Sequence, residues 1–256
     1  MKNFCFTVDD NVRFLKELTE SRPDSLFDHP YMAVYKRLHE AFGLKVQLNL
    51  FYRLEDFDLS QMTAAYREEW RENASWLRLS FHSDYENVRP YETSGYEEVY
   101  GDCAAVQREI LRFASPTALA QTTTVHYCQT TADGLRALAD NGVRGLLGLY
   151  GTAADPHTSY GLSQTAAARV RSGEVVWVDG IAYAPIDIVL NGCSREGILQ
   201  RLDALSSRDA LWVMIHEQYF YADYQWYQPD FEAKLQATFA WMAANGYQSR
   251  FFEELL

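Results

Sequence analysis

Short apolar runs rich in β-forming residues alternate along the chain with stretches whose apolar positions recur at helical spacing. That rhythm predicts βα units wound around a parallel sheet. Strands are expected at 3–8, 45–51, 77–82, 121–127, 143–150, within 175–190 and at 211–216. Helices are expected at 30–42, 60–74, 97–114, 132–141, 195–205 and 229–244. Gly43 is placed to end the first, and Ser60, Ser194 and Pro229 are start signals. Six or seven such units suit a barrel better than an open sheet, so the expected fold is one α/β domain over residues 1–256. One segment breaks the rhythm. Between Val175 and Tyr183 an Asp179-Gly180 turn separates two β-forming runs, which predicts a hairpin inserted in the series.

Composition narrows the partners. Hydrophobic residues make up 48% of the 256 residues and aromatics 14%, enough for a large core. The formal charge of −12 opposes binding to nucleic acid or to an acidic membrane surface. No apolar run approaches the roughly 18–20 residues that cross a bilayer, and the N-terminal residues run into a strand pattern without a leader signature. Cys5, Cys103, Cys128 and Cys193 show no paired spacing, so reduced thiols and a cytoplasmic location are expected.

In parallel α/β folds, chemistry gathers in the loops after the strands' carboxyl ends. The first strand ends in Asp9-Asp10, the third in His82-Ser83-Asp84-Tyr85-Glu86, the fourth in His126-Tyr127 and the last in His216-Glu217. Three of the six histidines therefore fall at strand ends on one face. A carboxylate pair at a strand end leaves one group to bind a cation while the other faces the water that the ion acidifies. A histidine can deliver a proton near neutral pH.

Thr7-Val8-Asp9-Asp10-Asn11, His82-Ser83-x-x-Glu86 and Ile215-His216, in that order, resemble the motifs of the polysaccharide deacetylase family, carbohydrate esterase family 4. The resemblance implies a distorted (β/α)7, TIM-like barrel and a hydrolase of non-peptide carbon–nitrogen bonds, a metal-dependent deacetylase acting on an N-acyl group of a carbohydrate or related linear amide. Carried over by position, it makes Asp9 the base, Asp10 and His82 metal ligands, and His216 the acid that protonates the leaving amine. Glu86 stands where the family has its second histidine ligand and Asn11 where it has a glycine. If the turn after His82 is helical, positions 82 and 86 share a face and Glu86 completes the set. Two carboxylates and one imidazole favour manganese, iron(II) or magnesium, with zinc still open; alternatively there is no metal. The family's Arg-x-Pro motif has no clear counterpart; Arg89-Pro90-Tyr91 follows His82 too closely.

His126 reads either as a contact to substrate or activated water, or as a polar strand-end residue bonded to a neighbour. Residues 219–227 hold six aromatics in nine positions, and Tyr219, Tyr221 and Trp226 are candidates to stack on a saccharide, against packing of the last helix or a subunit contact. Asp28 reads as the N-cap of 30–42, Asp187 as a residue without a site role, and His39 and His157 as residues without a role. No Gly-x-Ser-x-Gly elbow or Gly-x-Gly-x-x-Gly loop is present. Two other readings stand: a catalytically silent barrel that binds a saccharide, and a glycosidase using two carboxylates drawn from Asp9, Glu86 and Glu217.

Overall fold

The computed structural model describes residues 2–86, 91–151 and 158–256. Its strands are β1 (Lys2–Asn11), β2 (Val46–Phe51), β3 (Arg53–Leu54), β4 (Phe57–Asp58), β5 (Leu77–Ser83), β6 (Thr122–Thr123), β7 (Gly145–Gly148), β8 (Val176–Val178), β9 (Ile181–Pro185), β10 (Ile188–Val189), β11 (Ala210–His216) and β12 (Tyr247–Ser249). Its helices are α1 (Arg13–Ser21), α2 (Pro30–Phe42), α3 (Arg67–Asn73), α4 (Tyr96–Phe113), α5 (Ala132–Asp140), α6 (Gln164–Arg171), α7 (Arg195–Ala204) and α8 (Phe231–Ala244).

One sheet runs β10-β11-β1-β2-β5 with β12 beside β1, and all its pairings are parallel. A second runs β6-β7-β9-β8, parallel except for the β8–β9 hairpin. The sheets meet at two places. The chain passes from β9 into β10, and a parallel bridge joins Leu79 to Leu119 just before β6. With β9 and β10 counted as one interrupted strand, the result is a distorted seven-stranded (β/α) barrel to which β8 and β12 are additions. Its hairpin turns through Asp179 (φ 49°) and Gly180 (φ 82°), the conformation an Asp-Gly type I′ turn requires.

Side-chain alternation decides what faces where. Phe4, Phe6 and Val8 of β1 are buried, and Phe4 and Phe6 pack on Phe239 of α8. The intervening positions are polar and equally buried: Thr7 and Asp9 on β1, Gln47 and Asn49 on β2, Ser80 and His82 on β5, with Thr122 on β6. On β1, β2 and β5 apolar residues thus alternate at period 2 with a polar file that occupies the barrel interior, whereas β11 is apolar and buried from Leu211 through Ile215.

Helix α2 has the expected limits, with Gly43 left-handed at its C-cap (φ 65°). Its N-cap is His29 without a side-chain bond. Asp28 instead closes a capping box with Ser25 one short 3-10 turn earlier, and Pro30 occupies the first helical position, where no N–H goes unpaired. The helix expected at 60–74 is a 3-10 turn capped by Asp58 followed by α3, and α1 and α6 are additional to those the pattern predicts. The four cysteines are free thiols. Among the described residues no helix is long and apolar enough to cross a membrane.

Candidate metal centre

At the carboxyl end of β1 the register against β2 slips between Val8 and Asn11, so that Asp9 and Asp10 together face Asn49. This is a bulge. Asp10 takes a left-handed φ of 64°, a strained conformation for a residue with a Cβ and one that recurs at functional sites. Adjacent strand residues ordinarily point to opposite faces; here both carboxylates line one cavity of about 630 Å³.

Asp10, His82 and His126 converge there. Asp10 Oδ1 lies 3.0 Å from His82 Nε2 and 3.4 Å from His126 Nδ1, and the two ring nitrogens are 3.1 Å apart. All three residues are buried. Gln218 Nε2 donates to Asp10 Oδ2 at 2.7 Å, which leaves Oδ1 turned to the imidazoles. His82 Nδ1 lies 2.5 Å from the Thr124 carbonyl. A carbonyl only accepts, so Nδ1 carries a hydrogen; in the neutral ring this leaves the lone pair on Nε2, the tautomer that metal-binding histidines are held in, and in the protonated ring Nε2 donates to Asp10. His126 lacks such support, its Nε2 being buried without a partner.

Burial alone would raise the Asp10 carboxyl, but the bonds from His126 and His82 outweigh it and hold the group well below the usual range. Burial would lower His82; the Asp9 and Asp10 charges reverse that and raise it. Burial wins at His126, which is lowered.

The donor set fits a divalent ion. A tetrahedral zinc with bonds of 2.0–2.1 Å has ligand–ligand edges of about 3.3 Å, close to the three separations here. Without a cation, one carboxylate and two lone pairs would meet in a dry site held together only by shared protons.

Two further groups border the cavity. Asp9 Oδ1 accepts from Asn49 Nδ2 at 2.6 Å, and burial raises its carboxyl against the pull of His82 and His216. His216 Nδ1 is 2.9 Å from Asn191 Oδ1; as donor there it leaves Nε2 as the nitrogen that can take up and give a proton at the cavity.

Glu86, expected as the third ligand, lies outside the three-residue group. After Ser83 the chain leaves the strand through bends and a turn, not a helix, so positions 82 and 86 do not share a face. His126, expected at the substrate or as a bystander, stands in the group instead. Reaching it costs two consecutive left-handed residues, Tyr127 (φ 59°) and Cys128 (φ 55°). Tyr160 braces that turn, its hydroxyl donating to the Leu147 carbonyl at 2.6 Å and accepting from Val125 N at 3.2 Å.

Glu86 lines the cavity rim, as do Tyr219 and Trp226. Tyr221 is a packing residue, not an open stacking face. It is buried, stacks on Tyr31, and donates to Glu217 Oε1 at 2.9 Å. Asp187 is bound to Arg208 and to Trp212 N. Arg89, Pro90 and His157 lie outside the described residues. The sequence reading missed Gln218, Asn49 and Asn191, amides whose roles depend on strands distant in sequence.

No protein-family model and no curated protein matches the sequence. Solved structures do match in fold. A 4-alpha-glucanotransferase from Thermococcus litoralis aligns over 99% of this chain with a TM-score of 0.63 and 15% identity, this chain spanning 40% of that one. A peptidoglycan N-acetylglucosamine deacetylase aligns over 99% of this chain and 87% of its own, with a TM-score of 0.57 and 8% identity. A family 4 acetyl xylan esterase from Clostridium thermocellum, in complex with a cobalt ion, aligns over 99% and 90%, with a TM-score of 0.50 and 16% identity. The chain therefore has the barrel fold shared by family 4 carbohydrate esterases, with an Asp-His-His group at its strand ends.

Proposed function

We propose that this protein is a metal-dependent hydrolase that removes an N-acyl group from a carbohydrate or a related linear amide. The observation that carries the reading is the convergence of Asp10, His82 and His126 on the floor of a cavity also lined by Asp9 and His216. One carboxylate and two imidazoles favour zinc, with manganese or iron(II) as the alternatives.

Asp10, His82 and His126 would hold the ion, which when bound supplies Lewis acidity that acidifies water and polarises the acyl carbonyl. Asp9, oriented by Asn49, takes the proton of the attacking water; its upward shift brings its basicity closer to that task. His216, steadied by Asn191, gives a proton to the departing amine. Tyr219 and Trp226 offer ring faces at the rim. Glu217 does not offer the second carboxylate of a glycosidase: its oxygens accept from the backbone N–H of Val12, Arg13 and Phe14 and from the Tyr221 hydroxyl.

The test loads purified protein with zinc or manganese and follows amine release from N-acetylated oligosaccharides. Near-stoichiometric metal, turnover abolished by chelator, and a loss of about 10²–10⁴ in kcat for Asp9→Asn are expected. Protein that takes up no ion from either solution sinks the reading.

A further inference from the structure

The walls around the metal group are chemically lopsided. Going round the barrel from His126 through β7 and β10 to His216, the described cavity-lining residues are Val125, Cys128, Leu149, Val189 and Met214, with Tyr127 and Trp226 at the mouth. Among the described residues that arc carries no charged side chain. Three of its residues rank among the molecule's exposed large hydrophobics, Trp226 at 59%, Tyr127 at 54% and Leu149 at 40%, and they gather on this one cavity. Exposed apolar surface concentrated at a concave site marks a ligand.

On the other side of Asp10, a neighbouring lobe of about 430 Å³ sets charged groups, Arg13, Lys16, Glu17, Glu20, Glu55 and Asp223, beside apolar ones such as Phe51 and Leu54. Asp10, Glu86 and Gln218 border both lobes, so the metal group sits at their junction.

A sugar ring is ringed with hydroxyls that need partners once water is removed. The aliphatic arc offers Val, Leu and Met, which neither pair with hydroxyls nor present a flat face to a ring. It suits a hydrocarbon. The polar lobe suits the hydroxylated half of the molecule. Resting on the hydrolase reading, we propose that the substrate's acyl group is a medium-length or aryl-bearing apolar chain, longer than acetyl, seated along Leu149, Val189 and Met214.

The experiment compares N-acetyl-, N-butanoyl-, N-hexanoyl- and N-octanoylglucosamine on the metal-loaded full chain. It is paired with calorimetric binding of the acetyl and octanoyl compounds to Asp9→Asn. A rise in kcat/KM of about two- to fourfold per added methylene is expected, the range that partial to full burial of a CH₂ gives. Leu149→Asp, at a half-open position where a charge stays hydrated, should flatten the series. Hydrolysis of the acetyl compound with a flat or falling series overturns the inference and leaves the hydrolase standing. If no amide is cleaved, the hydrolase reading fails and calorimetry decides the inference alone. Tighter octanoyl than acetyl binding then upholds the apolar seat, and equal or absent binding removes it.

Discussion

A histidine and a glutamate exchange places between expectation and structure, and the exchange can be measured. With His126 in the ligand group and Glu86 on the rim, His126→Ala should lose metal while Glu86→Gln retains it near one equivalent, read by plasma mass spectrometry after desalting. The reverse result would return Glu86 to the ion. Gln218→Ala should weaken zinc by about 10–100-fold in a chelator competition, because the Nε2 donor that fixes Asp10 Oδ2 is gone. Gln218→Glu should fare no better, since it offers Asp10 an acceptor where it needs a donor. At this scale the sequence exposed the candidate groups themselves: Asp9, Asp10, His82, His126 and His216 all stand out as strand-end polar residues. It hid the hydrogen bonds that orient them. Asn49 and Asn191 sit at unremarkable positions in their own segments, and only the pairing of β2 with β1 and of β10 with β11 brings them to Asp9 and His216.

Between elements, the same distinction between local and distant signals holds. Helix α2 was legible because Pro30 and Gly43 mark its ends within its own sequence. Helix α1 was not, because its N-cap, Val12, has no side chain to offer and its first N–H groups are satisfied by Glu217, at the end of β11. Helix α6 buries only Ala167 and Val170, too narrow a stripe to show as a period. The Glu217 cap carries a pH signature. Burial pushes its carboxyl up to about 7 from the ordinary 4.5, against the donors of Val12, Phe14, Tyr221 and Arg13. A group that binds its proton more tightly folded than unfolded adds stability below the unfolded value and loses it as pH rises toward the folded one. Relative to Glu217→Gln, the wild type should therefore lose stability between pH 4.5 and about 7, by on the order of 3 kcal/mol at most. Urea titrations of both proteins at pH 4.5, 6 and 7.5 measure the difference. A wild type that gains stability over that window would mean that the helix N-terminus and its donors outweigh burial.

Across the whole molecule, the weakest join in the barrel lies beside the metal group. Between β5 and β6 the described backbone contributes one bridge, of which the Ala120 N to Leu79 carbonyl bond at 2.8 Å is part, and side chains do the rest. Gln47 Nε2 and Ser80 Oγ each donate to the Thr122 carbonyl at 2.8 Å, Thr122 Oγ1 reaches Gln47 Oε1 at 3.0 Å, and Thr123 Oγ1 donates to the Phe81 carbonyl. Gln47 also donates to Asn49 Oδ1 at 2.8 Å, so the polar file that holds Asp9 is the same one that sews the seam. An alternating polar-inside pattern was visible on β1 and β2 as Thr7-x-Asp9 and Gln47-x-Asn49, but nothing local says that these positions face the barrel axis. An ion on Asp10, His82 and His126 ties β1 and β5 to the segment after β6, across that join. Metal should then raise the unfolding free energy by about 2.7 kcal/mol at a free concentration one hundred times its Kd, as for any ligand that binds only the folded state. Gln47→Leu, which strands buried partners on Asn49 and Thr122, should cost about 2–4 kcal/mol in the metal-free protein. By linkage, any part of that cost arising from a His126 segment that no longer sits against β5 must reappear as weaker metal binding. A variant that loses stability yet binds zinc with unchanged affinity would show that seam and metal group are independent. Matched losses in both would show that the fold and the site share one set of bonds.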